Sequence, residues 1–380
     1  MALGCWPAAQ GAEADAGTIA WLLEGEPAVR YLTLTRLLGE PADGAGGATA
    51  NGSADGGRSA GSAAAAEARR RIMTEGAVPA ILAAQRDDGG WAEPGRFYSA
   101  KYAGTVWQLL ILAELGADGA DERVRRGCEA VLRDGQDAAS GGFGHKHAAH
   151  GGCTRATVIP CLTGNMVYSL IRLGMLDDPR VQRAIDWITT YQRFDDGDER
   201  LDGDDAPPTG WPYHVEMCWG RHTCHMGAAK ALKALAEVLP ERRTPAVRHT
   251  LAAGAEYFLR HHVHRRSHDL TRDAKPGWRR FGFPLMYQTD ALELLGILTR
   301  LGREGAVAGA AADGTGGAPI LGDARMDEAL ALVASKADAQ GRWKLQSTFN
   351  GRFVVDIETK GEPSRWVTAK ALEVLGATSP

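Results

Sequence analysis

The chain has 380 residues, of which 44% are hydrophobic and 24% are charged, a composition typical of soluble globular proteins. Its net charge of −4 argues against an electrostatic nucleic-acid binder, and it contains no run of about 18 apolar residues that could span a membrane. The first residues lack the basic start and apolar stretch of a secretory signal, so we expect a cytoplasmic protein.

The N-terminal part predicts two helices followed by an insertion. Residues 17–39 suit a short helix, a break at Glu26-Pro27 and a second helix that ends at Gly39. Residues 40–66 are rich in Gly, Ala, Ser and Asp and contain almost no large apolar side chains. Such a composition buries too little surface to fold, so we predict a flexible insertion here and a second one at residues 303–322.

From residue 66 onward, one unit recurs with a period of roughly 60 residues. The unit is a helix, a polar loop with glycine and an aromatic residue, an apolar helix and a Leu-Gly stop. The apolar helices begin near residues 28, 101, 161, 224, 286 and 365, and an outer helix precedes each. The only candidate strand is residues 351–358.

Stacked helix pairs form either an open solenoid or a closed ring. Six pairs favour closure, so we predict an all-α fold in which residues 1–380 form a single α/α toroid domain. We expect about six inner and six outer helices.

Four of the six cysteines lie as two pairs in one chemically dense stretch, at Cys153 with Cys161 and at Cys218 with Cys224. Cys161 and Cys224 stand at matching repeat positions, each at the start of an apolar helix. A ring would bring these positions near one face, where helix dipoles favour thiolates. Paired cysteines in a cytoplasmic protein more often bind metal than form structural disulfides.

These four cysteines therefore predict a metal site. Zinc is the first choice, and an iron–sulfur cluster is the alternative because four thiolates serve either. His222 and His225 are alternative ligands or partners of the ligands. Buried structural cysteine is the competing interpretation.

The sequence Gln85-Arg-Asp-Asp-Gly-Gly-Trp91 fits the pattern Gln-x-x-x-Gly-x-Trp, and degenerate copies end at Phe143 and Trp343. This pattern resembles the repeat of the squalene cyclase and protein prenyltransferase superfamily. The resemblance covers residues 66–376 and implies an α/α toroid. It also implies an apolar, isoprenoid-type substrate in a central cavity lined by aromatic residues. The residues expected to line that cavity are Trp211, Tyr213, Trp219, Phe281, Phe283 and Trp366.

The catalytic resemblance is less complete. The Asp-x-Asp-Asp string of the cyclases has its only counterpart at residues 202–205, in a polar loop well ahead of the next apolar helix. Prenyltransferases place zinc ligands at inner-helix starts, and His222-Thr-Cys224 is similar to such a segment. The candidate acid–base residues are Asp290, Tyr287 and His225. Asp290 is the first of them, because a carboxylate that faces a cavity has a raised pKa and can act as an acid or a base.

Two other functions are consistent with these residues. One is a non-catalytic scaffold, held together by metal, that binds a partner protein. The other is a carbohydrate-active toroid, with Tyr287 and His214 as its first candidates. A deep aromatic cavity with an ionisable group favours the enzyme, whereas a filled centre favours the scaffold.

Overall fold

Helices account for most of the residues that the computed structural model describes, which are 15–41, 56–197, 218, 223–310 and 316–378. The mainly helical class is therefore confirmed. The helices are α1 (Ala16–Leu23), α2 (Pro27–Leu32), α3 (Gly56–Arg71), α4 (Ala77–Ala83), α5 (Thr105–Glu114), α6 (Glu122–Gly135), α7 (Pro160–Arg172), α8 (Pro179–Tyr191), α9 (His225–Ala236), α10 (Pro245–Arg260), α11 (Ala291–Arg303), α12 (Asp327–Ala334) and α13 (Arg365–Thr378).

Helices α5, α7, α9, α11 and α13, here called the inner helices, pack against one another in chain order. The last of them, α13, also contacts α2 near the start of the chain. Residues 105–113 of α5 are all buried, as expected for a helix surrounded by others. Helices α6, α8, α10 and α12 each pack on the preceding inner helix of the chain and alternate with the inner set.

In three of the polar loops, the aromatic residue is held by the inner helix that follows it. In each, its backbone N–H donates to a threonine hydroxyl of that helix. The pairs are Trp91 with Thr105 at 3.1 Å, Phe143 with Thr163 at 3.0 Å, and Trp343 with Thr368 at 2.9 Å. This threonine belongs to the repeat, although the sequence pattern alone did not reveal it.

The repeat glutamines connect successive outer helices. The side-chain amide of Gln85 donates to the carbonyls of Gly89 and Arg123, both at 2.8 Å. Gln136 does the same for Gly141 at 2.9 Å and Arg180 at 2.8 Å. Each glutamine thus closes its own loop and holds the first turn of the next outer helix, which is why the residue recurs.

The prediction of a flexible insertion at residues 40–66 is wrong for its last part, because α3 begins at Gly56. Its alanine-rich sequence has a high helix propensity. Ala65 and Ala68 are buried in a small apolar cluster with Leu34. Small side chains let this helix approach α2 closely, which the lack of large apolar residues had hidden.

Short strands replace part of the second predicted insertion. Val307–Ala308 (β3) pairs antiparallel with Ala318–Pro319 (β4), and the Gly309 N–H donates to the Ala252 carbonyl of α10 at 3.0 Å. A second hairpin joins Arg265–Arg266 (β1) to Asp269–Asp273 (β2). Residues 351–358 form turns instead of the expected strand. In the described part of the chain, no helix is both long and apolar enough to cross a bilayer.

Candidate functional site

Three cysteines lie near the N-terminal ends of α7 and α9. Cys161 is the second residue of α7, Cys224 is the N-cap residue of α9, and the Cys218 thiol hydrogen-bonds with Cys224. Both Cys218 and Cys224 lie within electrostatic range of Cys161. We call these three residues the thiol group.

A glycine brings the two helix ends together. A Cβ atom on Gly164 would lie 2.5 Å from the backbone carbon of Lys230, so α7 and α9 cross with their main chains nearly touching. Any larger residue at position 164 would push α9 and Cys224 away from Cys161. The close approach of the two helix ends therefore depends on Gly164, which lies about one helical turn along α7 from Cys161.

Of the three cysteines in the thiol group, Cys224 is the one whose pKa is lowered. The hydrogen bond from Cys218 lowers the pKa of Cys224 to about 6, against the effect of burial. Backbone N–H groups of Gly227 and Met226 act in the same direction, as expected at a helix N-terminus. The same hydrogen bond raises the pKa of Cys218, and burial raises the pKa of Cys161 to about 12.

Cys153 lies apart from the thiol group. Its Sγ accepts a hydrogen bond from the Gly144 N–H at 3.1 Å, and its backbone pairs with His147. Burial raises its pKa to about 12, and the charge that faces it is Asp137. Of the four cysteines predicted as ligands, Cys161, Cys218 and Cys224 therefore lie within electrostatic range of one another. Cys153 lies elsewhere, because the loop that holds it folds back on the preceding outer helix.

The donors of the thiol group fit zinc in type, since zinc binds soft thiolates and keeps an open position in catalytic sites. As they stand, the described residues include no group of three or more His, Cys, Asp or Glu side chains arranged to hold a metal ion. Three thiols fit an iron–sulfur cluster less well, because such clusters normally take four. The proposed ligand His222 lies outside the described residues, as do Trp211, Tyr213, His214 and Trp219.

His225 faces α10. Its Nδ1 lies 3.1 Å from the Tyr257 hydroxyl, and its ring contacts those of Tyr257, His261 and Trp278. Burial, together with the neighbouring His261, lowers its pKa to about 4. His225 is therefore neutral at pH 7 and can donate or accept a hydrogen bond.

Asp290 is the N-cap residue of α11. Its Oδ1 accepts from the Glu293 N–H at 2.8 Å and its Oδ2 from the Gly282 N–H at 3.0 Å. Burial raises its pKa to about 7. Both oxygens are thus committed to backbone groups, so in this conformation its role is to fix the loop at residue 282 to the start of α11.

Aromatic rings gather beside the thiol group. The Tyr102 ring stacks on Phe349 with 3.9 Å between centroids, and its hydroxyl lies close to that of Tyr287. The Trp107 ring lies 6.0 Å from that of Tyr287 and 5.2 Å from that of Tyr98. Burial raises the pKa of Tyr98, whose hydroxyl is within electrostatic range of the thiol group. We call these five residues the aromatic cluster.

None of the aromatic cluster was among the predicted cavity residues, and the predicted ones that the structure describes, Phe281, Phe283 and Trp366, are buried against other side chains. Phe283 stacks on Trp366 with 4.2 Å between centroids and nearly parallel planes. The Nζ of Lys370 lies 4.8 Å from the Phe283 centroid, and that of Lys336 lies 5.3 Å from the Phe281 centroid. These cations cover the ring faces, so the three aromatic residues are packed against neighbours as well as against each other.

Buried charges fill the space between the inner helices. Lys230 has no exposed surface, and its Nζ lies 2.9 and 2.7 Å from the two oxygens of Glu293. Lys233 lies 2.9 Å from Glu293 and also donates to Glu114, which accepts from Lys370 at 3.2 Å. We call these five residues the charge network. The sequence predictions did not include this charge network, although charged residues within otherwise apolar helices are a signal for it.

Comparison with known proteins adds little. No known family pattern matches the sequence, and no curated protein is similar to it. A solved structure described only as a protein from Actinoplanes shares 15% identity and covers 82% of this chain and 99% of its own. Its TM-score of 0.27 is too low to support an argument about fold or function.

Proposed function

We propose that this chain is a prenyltransferase- or terpene-cyclase-like enzyme in which zinc bound by the thiol group meets an apolar, isoprenoid-type substrate. The observation that carries the proposal is the convergence of Cys161, Cys218 and Cys224 from separate chain segments. The hydrogen bond with Cys218 lowers the pKa of Cys224, which favours the thiolate, the form that binds metal. The aromatic cluster beside them suits an apolar ligand.

The same proposal includes an α/α toroid. The contacts of the inner helices in chain order, together with the contact between α13 and α2, support a closed ring. All inner helices of a toroid run in one direction, so their N-terminal ends share a face. Cys161, Cys224, Tyr287 and Asp290 each lie at such an end, which is consistent with one site on that face.

Each part of the site has a chemical task in this proposal. Cys161, Cys218 and Cys224 would hold the zinc ion as thiolates, and the bound ion would supply a Lewis acid able to activate a thiol or water. The hydroxyls of Tyr98 and Tyr102 stay protonated, because burial raises their pKa. They can therefore donate hydrogen bonds, while the rings of the aromatic cluster exclude water and stabilise positive charge through their faces.

Metal analysis of purified variants tests the proposal. We expect about one zinc per chain in the wild type and a loss of zinc in Cys161→Ser and Cys224→Ser, as a three-thiolate site requires. The matched controls are Cys153→Ser and Cys128→Ser. Both residues are buried thiols that lie outside the thiol group, so both variants should retain zinc.

Two outcomes would contradict the proposal. One is wild-type protein that contains no transition metal after expression in zinc-supplemented medium. The other is zinc that survives the combined Cys161→Ser and Cys224→Ser change. A loss of zinc in Cys153→Ser would restore the four-thiolate site expected from the sequence.

A second function is a non-catalytic scaffold that binds a partner protein. The charge network favours it, because Lys230, Glu293 and Glu114 occupy the space where a cyclase would hold its substrate. In the enzyme, therefore, the substrate binds above the charge network, over the thiol group. Retention of an isoprenoid probe by the wild type and its displacement by alkylation of Cys224 would favour the enzyme over the scaffold.

A further inference from the structure

Two buried amide side chains hold the loops that carry the tyrosines of the aromatic cluster. Gln108 of α5 donates from Nε2 to the Tyr102 carbonyl at 2.6 Å, and Asn165 of α7 donates from Nδ2 to the Met286 carbonyl at 3.1 Å. Neither amide residue has exposed surface. Because each partner is a carbonyl, the NH₂ must face it, and the orientation of both amides is therefore fixed.

The opposite ends of these amides lack partners. Gln108 Oε1 and Asn165 Oδ1 accept no hydrogen bond from any residue that the structure describes, and the buried hydroxyl of Thr289 is in the same state. A buried acceptor without a donor is costly and is uncommon in native proteins. Two such acceptors beside the loops that carry Tyr102 and Tyr287 indicate that the functional protein binds a hydrogen-bond donor there.

Both amides belong to the same place in the fold. The Tyr287 hydroxyl lies close enough to that of Tyr102 to raise the Tyr102 pKa, and Met286 directly precedes Tyr287. The backbone is strained at this point, since Lys101 and Met286 have φ values of +56° and +55°. Strain in non-glycine residues concentrates at functional sites. The amides thus hold two strained loops in position around the tyrosine pair.

The chemistry of these atoms selects the ligand. The two amide oxygens only accept hydrogen bonds, so they repel the oxygens of a diphosphate or carboxylate. Lys101 and Arg352 lie near Tyr102 and disfavour a cationic ligand. The rings of Tyr102, Trp107 and Tyr287 provide apolar walls. A neutral hydroxyl on an apolar body satisfies all of these groups.

We propose that Gln108 and Asn165 form the polar end of a binding site for an apolar alcohol, whose hydroxyl donates to their side-chain oxygens beneath the Tyr102–Tyr287 pair. The inference rests on the proposed function in one respect, namely that the aromatic cluster binds an apolar molecule. It adds that this molecule enters as an alcohol and that its hydroxyl is recognised by acceptors.

The test is calorimetric titration of the full chain with three probes of the same carbon skeleton, which are farnesol, farnesene and farnesyl diphosphate. We expect farnesol to bind about tenfold more tightly than farnesene, as one to two neutral hydrogen bonds allow, and more tightly than the diphosphate. Gln108→Met should reduce the preference for farnesol over farnesene to less than about threefold. This comparison on the wild type needs no variant to fold.

The matched control is Gln136→Met. Gln136 is also buried and donates to backbone carbonyls, but it belongs to the loop staple between outer helices. Its replacement should lower stability as Gln108→Met does and leave the preference for farnesol unchanged. Equal binding of farnesol and farnesene, tightest binding of the diphosphate, or an unchanged preference in Gln108→Met overturns this inference alone. If none of the three probes binds, the apolar substrate of the proposed function fails with it.

Discussion

Replacement of Glu293 by glutamine tests whether the charge network holds the inner helices together. Glu293 accepts from Lys230 with both oxygens and from Lys233 with one. The substitution keeps the shape of the side chain and removes its charge, so Lys230 loses its carboxylate while fully buried. Breaking a buried ion pair on one side typically costs about 3–5 kcal/mol of unfolding free energy.

The lowered pKa of Glu293 is a second measure of how much this carboxylate contributes to the unfolding free energy. Burial raises this pKa, but the charges of Lys230 and Lys233 outweigh it and hold the value at about 2, below the usual 4.5. A difference of this size corresponds to about 3 kcal/mol of stability. Because the folded pKa is depressed, this contribution is present above pH 4.5 and is lost as the pH falls towards 2.

Lys230 behaves in the opposite direction. Burial lowers its pKa although Glu293 faces it, so charging this amine costs stability and the pair as a whole contributes less than Glu293 alone. Lys230→Met should therefore cost only about 1 kcal/mol, because Glu293 keeps Lys233 and methionine fills the volume. Adding Lys230→Met to Glu293→Gln should recover part of the loss.

Urea unfolding followed by circular dichroism at pH 7 and at pH 3 measures these differences through the midpoint and slope. The gap between wild type and Glu293→Gln should narrow at the lower pH, where Glu293 begins to be protonated. The reasoning is refuted if Glu293→Gln unfolds within about 1 kcal/mol of wild type at pH 7. It is also refuted if Lys230→Met is as costly as Glu293→Gln.

Three further predictions concern the site and its support. Gly164→Ala should lower the unfolding free energy by about 1–3 kcal/mol in the same urea assay, because its Cβ would meet the Lys230 backbone. Gly296→Ala should be neutral or stabilising, because the nearest atom to its Cβ, on Val374, is 3.9 Å away. After chelation, Cys224 should react with iodoacetamide with a midpoint near pH 6, and a midpoint above pH 8 by mass spectrometry would contradict the thiolate. Because burial raises the pKa of Asp290 from its usual 3.8 to about 7, the unfolding free energy of wild type should fall as the pH rises from 3.8 to about 7, and Asp290→Asn should lose this dependence.

The sequence by itself determined the inner helices and their order. The apolar runs that became α5, α7, α9, α11 and α13 were located to within a few residues, because a fully buried helix carries its signal in its own composition. The loop residues Gln85 and Trp91 also predicted a helix end, since their hydrogen bonds are to nearby backbone. Local interactions of this kind can be recognised without the tertiary structure.

Tertiary structure alone decided which cysteines meet. Cys153 and Cys161 are eight residues apart and were expected to act together, yet the loop between them carries Cys153 to Gly144 and leaves Cys161 beside Cys224. That outcome depends on the close crossing of α7 and α9 at Gly164. No local pattern specifies such a crossing, because it depends on the packing of two helices more than sixty residues apart.

The charge network and the position of the buried amide Asn165 were also decided by the tertiary structure. Lys230 and Asn165 are polar side chains whose burial is tolerated because a partner from another segment, Glu293 or the Met286 carbonyl, lies within hydrogen-bond distance. In the sequence each is a single polar residue within an apolar helix. Composition indicates that such a residue needs a partner, and only the assembled inner helices decide which one it finds.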